Sequence, residues 1–435
     1  MERGHRLSLL FLIGFNSIYL GVNYLWISFE SLILPTEIGG VVPVGQMGLY
    51  LGVIAAVGAG SGIAGNLGSG FLGDRIHIGG ARRYPYIAIG VGMTVLAVLL
   101  QHFVTLSVYV ITAGYVLLQV FSNIAIGSVQ PVVAETVRSE QRGISAGMNG
   151  LFTLTGSALG FGITGYLMTY HTEVLAIYAI AAGVAFTGIA SILTLALGRI
   201  PVARAEHIRI SSLRHVPADM RSFQRLVGGA FMVFMGITGL TYFELYFFRQ
   251  VLLVSDPQLY VAIAGIVVLA ISAVASIVLG HFSDRIGRWR ILILDSAFAA
   301  IPTAMIPYFR SFYIFLILGA FIGSAYGTFY SVSSAMAGDL VPKNEAGKYM
   351  ALFNLALAGA STVSPLIYGT LLFLFRNTVH TGYVALFSTS ALFYLLGSFI
   401  IVLASQGIRQ HWTWDSGMKN ASSITGKRQC MPSGL

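Results

Sequence analysis

Charge is scarce in this chain. Of its 435 residues only 9% are Asp, Glu, Lys or Arg, against about 25% in ordinary soluble domains, and 56% are hydrophobic. No water-soluble surface can be built from that supply, which excludes a soluble globular protein. Cysteine is almost missing. The single Cys430 lies in a polar tail, so an internal disulfide framework and a zinc site of paired cysteines are both excluded. Histidines are scattered without HxxxH spacing or a carboxylate cluster, and no GxSxG, P-loop or CxxC occurs. The expectation is a protein that is not an enzyme and has no cofactor and no metal. The net charge of +9 invites a nucleic-acid partner, but that needs a basic patch on a soluble domain. Here the bases sit between apolar runs. One more motif falls away on spacing: Gly60, Gly62 and Gly65 spell GxGxxG, yet the nearest acid, Asp74, follows too soon for a ribose partner.

What the chain has in abundance is apolar runs of about 20 residues, each long enough to cross a core of about 30 Å. Twelve are present, starting near Leu7, Gly48, Tyr84, Ser107, Gly143, Val174, Leu226, Leu259, Ile291, Phe312, Gly347 and Gly382. With both termini cytoplasmic, the inner segments hold all of the 25 Lys and Arg except Arg249, Arg310 and Arg376, the asymmetry of a multi-pass protein of the cytoplasmic (inner) membrane. The segments then read as a cytoplasmic N-terminus over 1–6, an N-terminal six-helix bundle over 7–198, a cytoplasmic linker over 199–225, a C-terminal six-helix bundle over 226–405 and a cytoplasmic tail over 406–435. The six Arg of the linker suit a strip beside anionic membrane lipid. The tail has a disordered composition beyond Met418.

The halves repeat each other. "GDRI" at Gly73–Ile76 returns as "SDRI" at Ser283–Ile286, an offset of 210, and Glu135 falls over Asp339 at an offset of 204. Two anchors at nearly one offset indicate a six-plus-six duplication. The stretches "GFLGDRIHIGGARRYPY" and "GHFSDRIGRWR" resemble the GxxxDRxGRR loops of the major facilitator superfamily, at its two expected places. The stretched first copy, with "RRYPY", is similar to the branch near the sucrose/proton symporters and the glycoside-pentoside-hexuronide:cation symporters. The resemblance implies an all-α polytopic membrane protein of 12 transmembrane helices, in two six-helix bundles related by pseudo-two-fold symmetry. The loop residues Asp74, Arg75, Arg82, Arg83, Asp284, Arg285 and Arg288, with the inner-end acids Glu135 and Asp339, fit a cytoplasmic latch that rocking bundles make and break. The plainer alternative is that the bases only set topology.

Polar side chains inside the spans should face a cavity or another helix. In span one Asn16, Tyr19, Asn23, Trp26 and Glu30 share a stripe. Gln119, Asn123 and Gln130 form another in span four, Thr238, Thr241 and Glu244 a third in span seven, and Tyr326 and Tyr330 a fourth in span ten. The resemblance implies that these four spans line the central pathway. Amides, hydroxyls and aromatic faces suit a small polar organic solute such as a sugar or glycoside; the bland alternative is interhelical glue. Glu244, or Glu30, is the candidate for coupling to a proton or other cation. The expected function is therefore secondary active transport, a symport, with a monomer as the default state. One competitor is proton-driven efflux of hydrophobic compounds, disfavoured because span five has Phe161 where the efflux motif has Pro. The other is a non-transporting scaffold or delivery protein.

Overall fold

The computed structural model describes residues 7–75, 84–101, 107–137, 139–197, 220–342 and 345–425. Among them every regular element is a helix. Twelve helices follow the apolar runs in order. The first six are α1 (Leu9–Val41), α2 (Met47–Arg75), α3 (Tyr84–Gln101), α4 (Val108–Thr136), α5 (Glu140–Tyr170) and α6 (Glu173–Leu197). The second six are α7 (Arg221–Leu252), α8 (Pro257–Ile286), α9 (Arg288–Tyr308), α10 (Phe312–Leu340), α11 (Ala346–Leu374) and α12 (Val379–Thr425). Eleven are long and apolar enough to cross a membrane, and α3 is a shorter apolar helix.

Local chemistry sets the helix ends. The Ser8 hydroxyl accepts the Phe11 N–H at 3.2 Å and caps α1. Pro257, which has no N–H to lose, opens α8, and Gly287 at φ +105° closes it, a turn that a side chain would strain. Three helices widen into one π turn each, α1 at Phe29–Ile33, α5 at Gly160–Thr164 and α7 at Phe248–Leu252. The backbone of α12 runs to Thr425.

Packing shows the two-fold relation. In the first half α1 packs on α5 and α6, α2 on α4, and α3 on α4 and α6; adding six to each number gives the pairs of the second half. Between halves the main contacts are α2 with α11 and α5 with α8, which the same shift exchanges. These seams need small residues. A Cβ on Gly52 would lie 2.4 Å from the Pro365 carbonyl, and one on Gly369 would lie 2.3 Å from the Gly48 carbonyl, so the α2 and α11 backbones touch directly. At the other seam Phe161 of α5 seats its ring against Gly265 of α8. The GxGxxG stretch lies inside α2, where Gly58 meets Tyr115 and Gly62 meets Asn123 and Gln119 of α4. It is a packing groove.

The apolar cores divide unequally along the helix axes. On the side away from the chain termini one core joins both halves, from Phe29, Leu32 and Ile54 to Phe243, Phe248 and Tyr383. On the termini side the core splits, with Phe15, Ile87 and Val129 in one bundle and Phe223, Phe329 and Phe353 in the other. The molecule is closed on the far side and parted on the termini side.

Candidate functional site

Where the shared core gives way to the divided ones, side chains from α1, α4, α7 and α10 converge. Gln119 of α4 is the hub. Its amide donates to the Tyr115 hydroxyl at 2.7 Å and to Glu30 Oε1 at 3.3 Å, and its own oxygen accepts from the Asn123 amide at 3.3 Å. Gly62 of α2 makes room for this pair of amides. Tyr115 in turn reaches Tyr242 of α7, hydroxyl to hydroxyl at 3.3 Å, and Tyr242 is also within reach of Glu30. A second bond between bundles runs close by, from the Tyr246 hydroxyl to the Pro35 carbonyl at 2.8 Å. One step toward the termini, Tyr326 and Tyr330 of α10 and Phe234 of α7 form an aromatic cluster with centroids 6.2–6.3 Å apart. Tyr19 of α1 faces Tyr330 from the other bundle.

Several side chains here keep accessible surface, unlike those of the cores on either side. Tyr330 is enclosed by protein and yet 55% exposed. Glu30, Glu244 and Tyr326 are likewise deep but only half-buried. Amide donors and acceptors, tyrosine hydroxyls and ring faces together offer what a hydroxylated solute needs.

The residues singled out from the sequence fall into groups. Tyr19, Trp26, Glu30, Gln119, Asn123, Tyr326 and Tyr330 gather around this region, with Trp26 tied to Ser122 of α4 at 3.0 Å. Thr241 is half-buried beside Tyr242. Asn16 and Asn23 stand apart, because their amides donate to Ser145 and Thr153 of α5. Residues three apart on a helix differ by about 60° in direction, so one edge of the α1 stripe meets α5 while Tyr19, Trp26 and Glu30 meet the interior. The single stripe read from spacing is thus two. Gln130 is exposed at the termini end of α4.

Glu244 lies deeper than its distance to Arg249 implied. Helix α7 continues through Arg249 to Leu252, which puts Glu244 two turns, about 12 Å, inside the end. Arg249 does not pair with it; it lines a cavity of about 310 Å³ on the far face with Thr36, Tyr246 and Gln258. Among the described residues the Glu244 carboxyl has neither a hydrogen-bond donor nor a cation beside it.

Of the latch residues, Arg82 and Arg83 lie outside the described residues. Asp74 and Arg75 end α2, and Glu135 lies near the end of α4. In the second copy Arg288 holds Asp284 at 3.2 Å and also bonds Asp339, which ties the α8–α9 turn to the end of α10 within one bundle. The bridging base is Arg288 rather than Arg285.

Sequence reasoning missed several polar residues. Tyr115 stands four residues before Gln119 and so on its face of α4, and Tyr242 adjoins Thr241; helical spacing alone could have found the first. Glu37, seven residues after Glu30, accepts from the buried Gln101 amide at 2.7 Å. Asp295 is a charged residue in mid-span, a signal in its own right.

Comparison with known proteins agrees with this geometry. The family model described as Major Facilitator Superfamily matches residues 10–365 and 226–419. Among curated proteins none matches the chain by sequence. Among solved structures, a bacterial homolog of the human lysosomal transporter Spinster, in an inward-facing and occupied conformation, is 14% identical with a TM-score of 0.68, over 92% of this chain and 96% of that one. The nucleoside transporter NupG gives 14% and 0.68, over 91% and 99%. A D-xylose-proton symporter gives 16% and 0.65, over 89% and 96%. At these identities the likeness is one of fold.

Proposed function

The chain belongs to the major facilitator superfamily of membrane transporters, and from that premise we propose that it is a secondary active transporter of a small polar organic solute, such as a sugar or glycoside, driven by proton uptake. The carrying observation is the convergence of Glu30, Gln119, Asn123, Tyr326 and Tyr330 on one accessible region between the bundles. Similar folds belong to proteins named as transporters of D-xylose and of nucleosides, solutes rich in hydroxyls. The distribution of Lys and Arg supports termini in the cytoplasm, and the parted side is then the cytoplasmic one. In this state the solute exchanges with the cytoplasm. Breaking the Tyr115–Tyr242 and Tyr246–Pro35 bonds while the other side closes exposes the same region outward.

Glu244 is the coupling group. A carboxylate without donor or cation in the membrane is costly, and a proton taken from the cavity removes the charge. Glu30 differs: its carboxyl is bonded to the Gln119 amide and faces Tyr242, so its state is tied to the gate.

The test is uptake of radiolabelled sugars, glycosides and nucleosides into proteoliposomes, with and without an imposed pH gradient. Wild type should accumulate at least one of them when the gradient is present. Glu244→Gln should keep solute exchange and lose gradient-driven accumulation by ten-fold or more; unchanged accumulation removes the coupling role. Export of lipophilic dyes, or no flux of any solute, would overturn the polar-solute reading.

A further inference from the structure

The cavity of about 310 Å³ on the far face lies across the closed seam between the bundles. Pro35 and Thr36 of α1 form one wall, and Tyr246 and Arg249 of α7 with Gln258 of α8 form the other. The bond from the Tyr246 hydroxyl to the Pro35 carbonyl, 2.8 Å, joins the two walls. Arg249 is one of the three bases that the distribution of Lys and Arg leaves on this face. Of the others, Arg376 donates to the Phe373 carbonyl at 3.3 Å and rests on the Phe373 ring. Arg249 is exposed, and among the described residues it makes no hydrogen bond and has no acid within ion-pair reach. The acids nearest in sequence to the walls are engaged elsewhere: Glu37 accepts from Gln101 at 2.7 Å, and Asp256 from Ser255 at 2.8 Å. Neither lines the cavity. Backbone strain shapes the rim. Leu253 is the one non-glycine residue with positive φ among those described, +53°, and its side chain is 68% exposed, so packing does not hold it there. This left-handed turn carries Val254 and Ser255 into the cavity wall and leads into α8. Strain of this kind clusters at ligand sites.

One unpaired guanidinium and no lining acid match a single negative charge, and the planar fork of Arg fits a carboxylate with two parallel bonds. Gln258 adds an amide donor, and the start of α8, which no side chain caps, adds the positive end of its dipole. Leu245 and Val254 supply an apolar wall, and the volume stands at the lower end of the range for ligand sites. We propose that this cavity binds a small organic monocarboxylate with a short apolar body, its carboxylate held by Arg249 and Gln258. The walls belong to different bundles, so the site is complete only while the far side is closed. A bound carboxylate therefore holds the molecule in that state. The site is regulatory and separate from the region around Gln119. The inference does not depend on which solute is moved or on the coupling role of Glu244.

The test uses the purified full chain in detergent, without solute, at constant pH and ionic strength, and compares sodium butyrate with sodium chloride and with butyramide. Butyrate should raise the midpoint of thermal unfolding by an amount that grows with the logarithm of its concentration. In Tyr246→Phe, where the opposite state is more populated, butyrate at ten times its half-effect concentration should shift the spin-label distances between the far ends of α1 and α7 about ten-fold toward the closed population. Butyramide should do neither. Arg249→Gln should abolish the butyrate effect, and Arg249→Lys should raise the half-effect concentration five-fold or more. Arg310→Gln removes an exposed base of the same face that does not line the cavity, and should leave the effect unchanged. Equal midpoints in butyrate and chloride overturn the site, and so does an effect that survives Arg249→Gln. Loss of the effect in Arg310→Gln marks a diffuse response to charge and overturns it too. If Arg249→Gln does not fold, Val254→Phe, which fills the cavity and keeps the base, decides: loss of the butyrate effect supports the site, and its persistence refutes it.

Discussion

Tyr115, Tyr242 and Tyr246 are the residues through which the two bundles bond across the closed side. Each hydroxyl contributes about 1 kcal/mol net, roughly a five-fold shift in a two-state equilibrium. Tyr115→Phe and Tyr246→Phe should each move the population toward the opposite state by about that factor, and the double variant by their product. Spin-label distances between the far ends of α1 and α7 would report it; distributions unchanged from wild type would show that apolar contact alone closes this side. Glu30→Gln should alter the same distances, because its carboxyl accepts from Gln119 and faces Tyr242.

Among the elements, α2 shows how composition becomes a moving part. Its glycines cost helix propensity, and the return is contact with α4 through Gly58 and Gly62 and with α11 through Gly52. Gly52→Val places a side chain into the Pro365 carbonyl, and overpacking of this kind costs about 1–3 kcal/mol. The purified variant should unfold several degrees below wild type, while Gly92→Val on α3, where nothing lies within 4 Å, should match it. Equal melting of both would mean the α2–α11 seam can spread freely. Helix number, order and approximate bounds were legible in the sequence because a span must satisfy its backbone internally and face lipid, so the signal is local and additive. The split of the α1 stripe was not legible. A 60° difference in direction decides which neighbour a side chain meets, and the neighbour's position is a property of the bundle.

For the whole molecule, the division of apolar cores is the conformational statement: one core spans both bundles on the far side and two separate ones occupy the termini side. The orientation proposed from the distribution of charge can be checked with the one native cysteine. Cys430 should resist a membrane-impermeant maleimide in intact cells and react in inverted vesicles; labelling in intact cells would reverse the topology and make the parted side the outer one.

Membrane class, twelve spans, duplication and the positions of the loop motifs came from composition, hydropathy and repeat offsets, all sums over neighbouring residues or comparisons along the chain. Which amides bond to which helix, that Arg288 bridges two acids, that Glu244 stands without a partner among the described residues and that Asp295 takes the Ser324 hydroxyl of α10 came only with the fold. Each depends on atoms tens to hundreds of residues apart meeting within about 3 Å, a distance scale that no local pattern encodes. The polar residues of the spans were visible from the start; their partners waited on the packing of the helices.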